Sequence, residues 1–194
     1  MSVSVFRMRK DLRFRSYGYD CNAIDEQSLM AREHPARMKR ESISDWWTPV
    51  PCFPQNPMTE AGDFFTAGTI GLFGVSDRVF EDETARKLLQ EAGELLPLVV
   101  SEERRTVFCY RITSKGLRHE VLDSERSVTE NYFKLQLVFF PDRLRSGGCF
   151  NLPGEIDVFA VHDPSLPPDR DFFQWYHLKG YTGLKFEQMW REDS

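Results

Sequence analysis

The clearest pattern along the chain is a series of apolar runs with strand-like spacing. Residues 3–9 alternate apolar and polar side chains at period two, which is typical of a half-buried strand. Later runs are rich in β-branched and aromatic residues and predict further strands over 72–75, 95–100, 106–112, 132–140, 158–162 and 182–190. The sequence therefore predicts a domain dominated by sheet.

A helix is predicted over 77–92, between the second and third of these strands. Ser76 suits the N-cap, and Asp77 adds negative charge to the first turn, where the helix dipole favours it. Gly93 stands where a residue that ends a helix is expected. The apolar side of the predicted helix is formed by Val79, Phe80, Leu88, Leu89 and Ala92.

The same order of elements recurs near the end of the chain. After the strand at 158–162, a helix is predicted over 168–179, with Phe172, Trp175 and Tyr176 on one face. Gly180 closes it, and the last strand follows. Two strand–helix–strand units of similar length indicate either a duplicated motif or a common way of covering a sheet.

The first sixty residues are less regular. Residues 24–43 carry alternating charge and predict one exposed helix over 25–38, broken near Pro35. Prolines crowd the stretch 45–57, so we expect an irregular loop there, held to the core by Trp46 and Trp47. The prediction is an α+β fold in a single domain, mainly antiparallel sheet with a few packed helices. Residues 1–60 form a strand, a charged segment and a loop packed on a core of residues 61–194.

Composition narrows the class of protein. The chain has 194 residues, a net charge of −5 and a pI of about 5.5, which argues against nucleic-acid binding. It shows no secretory signal and no apolar run long enough to span a membrane, so a cytoplasmic location is expected. The cysteines are irregularly spaced and suit buried, reduced side chains better than a zinc or redox site: Cys21, Cys52, Cys109 and Cys149.

Motifs of catalysis or cofactor binding are incomplete. His119-Glu120 resembles the start of a zinc-protease helix, but position 123 is Asp, so the second histidine ligand is missing. The glycines at 68, 71 and 74 match neither a dinucleotide fingerprint nor a P-loop. His162-Asp163 could pair a base with its orienting acid, or could form a turn and a cap. We therefore expect no catalytic residue, metal or cofactor.

Two short segments are candidates for contact with a partner protein. The acidic run Glu81, Asp82 and Glu83 could meet a basic surface, although such runs are commonly a solvated helix face. Trp46 and Trp47 could anchor an interface, although such pairs more often cover a core.

An ordered set of short motifs resembles a known bacterial family. It comprises Asp63-Phe64-Phe65, Val75-Ser76-Asp77-Arg78, Leu88-Leu89, Gly93-Glu94-Leu95-Leu96-Pro97-Leu98, Phe108-Cys109-Tyr110, Val121-Leu122-Asp123 and Gly180-Tyr181-Thr182-Gly183-Leu184-Lys185-Phe186 with Trp190. The set is similar to immunity protein family eleven, formerly a domain of unknown function, whose members are predicted to protect cells from polymorphic toxins. The first sixty residues match this pattern less well.

The resemblance implies an immunity protein that occludes the active site of a cognate toxin. It supplies no catalytic residues. The acidic balance would suit a basic toxin such as a nuclease. Two other functions stay open at this point: an enzyme whose site is assembled around His162, Asp163 and His177, and an adaptor or structural component of a larger assembly.

Overall fold

The strands dominate the computed structural model, which describes residues 2–20, 40–67, 73–130, 133–144, 147–153 and 157–192. The first six strands are β1 (Ser4–Lys10), β2 (Ser16–Tyr19), β3 (Val50–Pro54), β4 (Phe64–Ala67), β5 (Phe73–Val75) and β6 (Gly93–Val100). The remaining strands are β7 (Arg105–Ile112), β8 (Val128–Glu130), β9 (Phe133–Gln136), β10 (Cys149–Phe150), β11 (Val158–His162) and β12 (Leu184–Arg191).

Three α-helices lie among the described residues: α1 (Asp77–Glu81), α2 (Glu83–Gln90) and α3 (Phe172–Leu178). Single 3-10 turns occupy Ser114–Gly116, Pro141–Arg143 and Pro168–Arg170. The Ser76 side chain accepts a hydrogen bond from Val79 N, which confirms the predicted N-cap. The helix predicted over 77–92 is two helices, because Asp82 adopts an extended backbone and caps α2 through Thr84 N and Ala85 N.

Six strands close into a barrel in the order β2-β3-β6-β7-β5-β4. Neighbouring strands are antiparallel except for two pairs, β2 with β4 and β3 with β6, which are parallel. The inward side chains of these strands form one apolar cluster that includes Tyr17, Phe65, Leu98 and Cys109. The barrel is therefore filled by side chains and has its own core.

Four of the remaining strands form an open sheet in the order β10-β11-β1-β12, and all neighbouring pairs in it are antiparallel. Helices α2 and α3 and the outer faces of β4, β5 and β7 enclose a second core with this sheet, including Phe64, Leu89, Ala160 and Phe172. A third cluster covers the opposite face of the sheet. The chain is thus a single α+β domain, mainly antiparallel sheet with a few helices, as predicted.

The two predicted strand–helix–strand units share one topology. In the first, β5 and β6 flank β7, and both run antiparallel to it. In the second, β11 and β12 flank β1 in the same way. Matching topology is compatible with duplication and equally with a common way of packing a helix on a sheet.

The prediction of irregular structure over 45–57 was wrong, because β3 lies within this stretch. A proline has no N–H to donate, but its fixed φ suits an extended backbone and its carbonyl still accepts. Pro51 O accepts from Asp20 N at 2.9 Å, and β3 pairs with strands on both sides. The helix predicted over 25–38 lies outside the described residues.

The role predicted for Gly93 was also wrong. It is the first residue of β6 rather than the end of a helix. A Cβ at this position would lie 2.2 Å from Arg111 O, so glycine allows β6 and β7 to pair closely here. The run 132–140 is shorter than predicted, since β9 ends at Gln136 and Phe139 makes only an isolated bridge with Leu122.

Other predicted features are confirmed. Gly180 follows α3 with a φ of +61°, as expected of a residue that ends a helix. Cys52, Cys109 and Cys149 are buried thiols, and Cys21 lies outside the described residues. Burial raises the pKa of the Cys52 thiol to about 11. Within the described ranges, no helix combines the length and apolar character needed to cross a membrane.

Candidate functional site

The side of the barrel that the helices leave uncovered carries apolar side chains. On β3 and β6, Val50, Cys52, Leu96, Leu98 and Val100 point into the barrel, and the residues between them point outward. We call Pro51, Phe53, Pro97 and Val99 the barrel wall. Pro51 and Val99 are direct neighbours across the parallel β3–β6 pair.

The barrel wall departs from the usual pattern of a strand with one wet face. Such strands alternate apolar inward residues with polar outward ones. Here the outward positions are apolar as well, and Phe53 and Val99 are 39% and 36% exposed. An apolar surface made of adjacent residues on two paired strands is the kind of feature that marks a contact site for another protein.

The two tryptophans lie beside this surface. Both are partly buried and pack against the core of the barrel. Trp47 Nε1 donates to Pro97 O at 3.0 Å, which ties the segment before β3 to the wall strand β6. The pair therefore covers the barrel core, and Trp47 is hydrogen-bonded to Pro97 of the barrel wall.

The acidic run is divided between internal and solvent-facing roles. Asp82 Oδ2 accepts from Trp175 Nε1 at 3.1 Å and from Tyr181 OH at 2.8 Å, joining α2 to α3 and the segment after it. Burial disfavours the Asp82 carboxylate, but these bonds and its helix cap outweigh that effect and lower its pKa. Only Glu81 and Glu83 project into solvent, where Glu83 pairs with Lys87.

His162 has a different acidic partner from the one predicted. Its Nδ1 lies 3.1 Å from Asp171 Oδ2, whereas the Asp163 side chain accepts from Ser165 in a local turn. Asp171 is fully buried and caps α3 through Gln174 N at 2.9 Å. Its Oδ2 also accepts from Asp163 N at 2.8 Å. The carboxylate therefore fastens the end of β11 to the start of α3.

His177 lies near His162, on the other side of one phenylalanine. The ring of Phe173 is 4.8 Å from that of His162 and 4.6 Å from that of His177. Partial burial and then the nearby His162 lower the pKa of His177. Asp171 would hold His162 with a proton on Nδ1, leaving Nε2 free to act as a base.

A base alone does not make a catalytic site. General acid–base or nucleophilic catalysis needs a second reactive group within hydrogen-bond reach of the base. The described contacts of His162 are Asp171 and the aromatic rings of Phe6 and Phe173. These contacts suit packing at the edge of the helix–sheet core, so the geometry favours a structural role.

Asp171 was missed because its partner lies nine residues away across a turn. Its signal in the sequence is an acidic residue after Pro167-Pro168, at the point where an apolar helix face begins, which is typical of an N-cap. The Asp171 carboxylate both caps α3 and contacts His162. Only the cap can be predicted from the neighbouring sequence.

Within the described ranges, no group of three or more His, Cys, Asp or Glu side chains is placed to hold a metal ion. The chain matches no protein-family model, and no curated protein matches its sequence.

Proposed function

We propose that this protein acts by binding another protein through the barrel wall, and that the partner is a bacterial toxin that it neutralises in the cytoplasm. The observation that carries the proposal is the apolar outward face of β3 and β6, where Val99 lies opposite Pro51 and Phe53 follows two residues further along β3. The identity of the partner rests on the resemblance of the sequence to immunity protein family eleven.

The roles of two buried or partly buried carboxylates support a binding function. The carboxylates of Asp82 and Asp171, which a chemical site could have used, are engaged in caps and links between elements. An apolar surface patch can form the centre of a protein interface. Occlusion of an active site would need an interface of about 1,600 Å² in total.

The partner is tested by co-expression. The product of the gene immediately upstream, as the candidate toxin, is expressed in cells with or without this protein, and survival is measured. Survival that depends on this protein supports the proposal. An upstream gene with no toxic product, or killing that this protein does not reduce, would count against it.

The same assay separates occlusion from enzymatic detoxification. His162→Ala and His177→Ala should leave protection intact if the protein works by covering the toxin. Loss of protection in either variant, with the fold retained by circular dichroism, would favour a site built around these histidines.

The expected charge of the partner is tested separately. With a net charge of −5, this protein would meet a basic toxin with electrostatic attraction. The association rate should then fall as salt is raised, since ions screen the attraction. An association rate that is insensitive to salt would remove the suggestion of a basic nuclease.

A further inference from the structure

The mouth of the barrel contains a buried arginine. Arg111 lies on β7, faces into the barrel and is 1% exposed. Glu94 stands directly opposite it on β6, and Arg111 Nη1 is 2.7 Å from Glu94 Oε1. Nη1 also donates to Glu41 O. Nη1 of the guanidinium therefore has two acceptors.

The other two nitrogens of the Arg111 guanidinium, Nε and Nη2, lack acceptors among the described residues. Both atoms are buried, and neither has a hydrogen-bond partner in the described structure. A guanidinium is planar, and its Nε–H and the N–H of Nη2 on the same side point in one direction. The unpartnered atoms thus form a fork of two parallel donors, which matches the two oxygens of a carboxylate.

Glu94 does not serve this fork. Its carboxylate already accepts from Ser42 Oγ at 2.6 Å and from Ile43 N at 3.2 Å, in addition to Nη1. Residues 42 and 43 thereby hold Glu94 in place across the end of the barrel. Leaving two buried donors unpaired is costly, so native proteins rarely do it without a ligand or another acceptor.

Two further arginines belong to segments near this end of the barrel. Arg40 Nη2 donates to Asn151 Oδ1 at 2.9 Å, and Arg118 N donates to Asn151 O at 3.0 Å. Arg40 is also joined to the end of β7 by the bond from Ser114 N to its carbonyl at 2.8 Å. Arg118 Nε is a third buried nitrogen without an acceptor in the described structure. Arg40 and Arg118 are therefore both linked to Asn151, and Arg40 is linked to the segment that follows β7.

We propose that the mouth of the barrel binds a small carboxylate side-on through Nε and Nη2 of Arg111. The adjacent Glu94 carboxylate would repel a dianion, which favours a singly charged ligand over phosphate. The ligand is a structural component that completes a buried hydrogen-bond network. This site is independent of the barrel wall and of the proposed binding of a toxin.

The test is thermal unfolding of the full chain with increasing sodium acetate, at ionic strength held constant with sodium chloride. Acetate should raise the Tm with saturation at a concentration on the order of millimolar. In protein labelled with 15N-arginine, the Arg111 Nε–H resonance should shift over the same range. Inorganic phosphate should stabilise no more than chloride.

Two variants locate the effect. Arg111→Lys keeps the charge but removes the fork, and should abolish the response to acetate. Arg105→Lys changes an arginine at the opposite end of β7 and should leave the response to acetate unchanged. If Arg111→Lys does not fold, the resonance of the native protein decides. An acetate effect equal to that of chloride, a larger effect of phosphate, or an unmoved Arg111 resonance would overturn the proposal.

Discussion

Single residues in this protein connect distant elements, and Asp82 is the clearest case. It ends α1, caps α2, and accepts from Trp175 and Tyr181. We expect Asp82→Ala to lower the free energy of unfolding by about 2–4 kcal/mol, since a cap is lost and two donors lose their acceptor. Urea denaturation measures this.

Glu81 is the matched control for Asp82. It belongs to the same acidic run but is exposed. Glu81→Ala should change the free energy of unfolding by less than about 0.5 kcal/mol. Equal effects of the two substitutions would mean that the run is only a solvated face.

His177 gives a prediction about pH. Its pKa is lowered in the folded protein, by burial and by His162, so the unfolded chain binds the proton more readily. The resulting stability is present above the ordinary pKa of about 6.5 and is lost as the pH falls. His177→Gln should reduce the loss of stability between about pH 7 and pH 5, measured by urea denaturation.

At pH 8 the His177 imidazole is neutral in both the folded and unfolded chains. Protonation of His177 should therefore make no contribution to the difference in stability between native and variant protein at that pH. If the difference between native and variant protein were the same at pH 8 and pH 5, burial of His177 would have no role in the pH dependence.

Which residues could be predicted from sequence depended on how far away their partners are. Ser76 caps a helix through Val79, three residues on, and the local pattern was sufficient. The acceptor role of Asp82 depends on Trp175 and Tyr181, which come from the far end of the chain. The sequence analysis treated Asp82 only as part of an acidic run within one helix, so its cap of α2 was missed as well.

At the scale of elements, the most demanding contact lies where the chain enters β12. Gly183 has a φ of +96°, and a Cβ there would lie 1.8 Å from Phe64 O on β4. Gly183→Ala should therefore separate β4 of the barrel from the start of β12. We expect a loss of at least about 3 kcal/mol in unfolding free energy, or failure to fold.

Gly180 isolates the effect of this contact. Its φ is +61°, but nothing lies within 4 Å of an added Cβ. Gly180→Ala should cost only about 1 kcal/mol, the strain of a left-handed backbone at a residue other than glycine. Comparable losses in the two variants, measured by urea denaturation, would show that close packing at Gly183 is unimportant.

Periodicity predicted most strands because each carries its own apolar alternation, as β1 does. It did not identify the short strands β2, β4, β8 and β10. It failed at β3, where prolines indicate a loop, because the strand is defined by pairing with β2 and β6 rather than by its own preference. It also merged α1 and α2, since the apolar face continues through the break at Asp82.

At the scale of the whole molecule, closure of the barrel was not predictable from the sequence. It depends on the parallel pairs β2–β4 and β3–β6. The two strands of each pair are separated in the sequence by other strands. The α+β class was predictable, because strand and helix patterns are local. The barrel wall was not, since strands β3 and β6 become neighbours only in the closed barrel.

The barrel wall gives the prediction on which the proposed function depends. Phe53→Asp and Val99→Asp place charge in the proposed contact but leave the barrel core untouched. Each should weaken binding of the toxin domain at least tenfold, about 1.4 kcal/mol, because charge replaces apolar burial at the centre of an interface. Leu12→Asp is the control, since Leu12 is 81% exposed outside the wall.

The most direct measurement is the dissociation constant between this protein and the product of the gene immediately upstream, the proposed toxin, determined by isothermal titration calorimetry. The account predicts tight binding by the native protein and Leu12→Asp, and binding at least tenfold weaker for Val99→Asp with unchanged Tm. Equal affinities for all three proteins would contradict a role for the barrel wall.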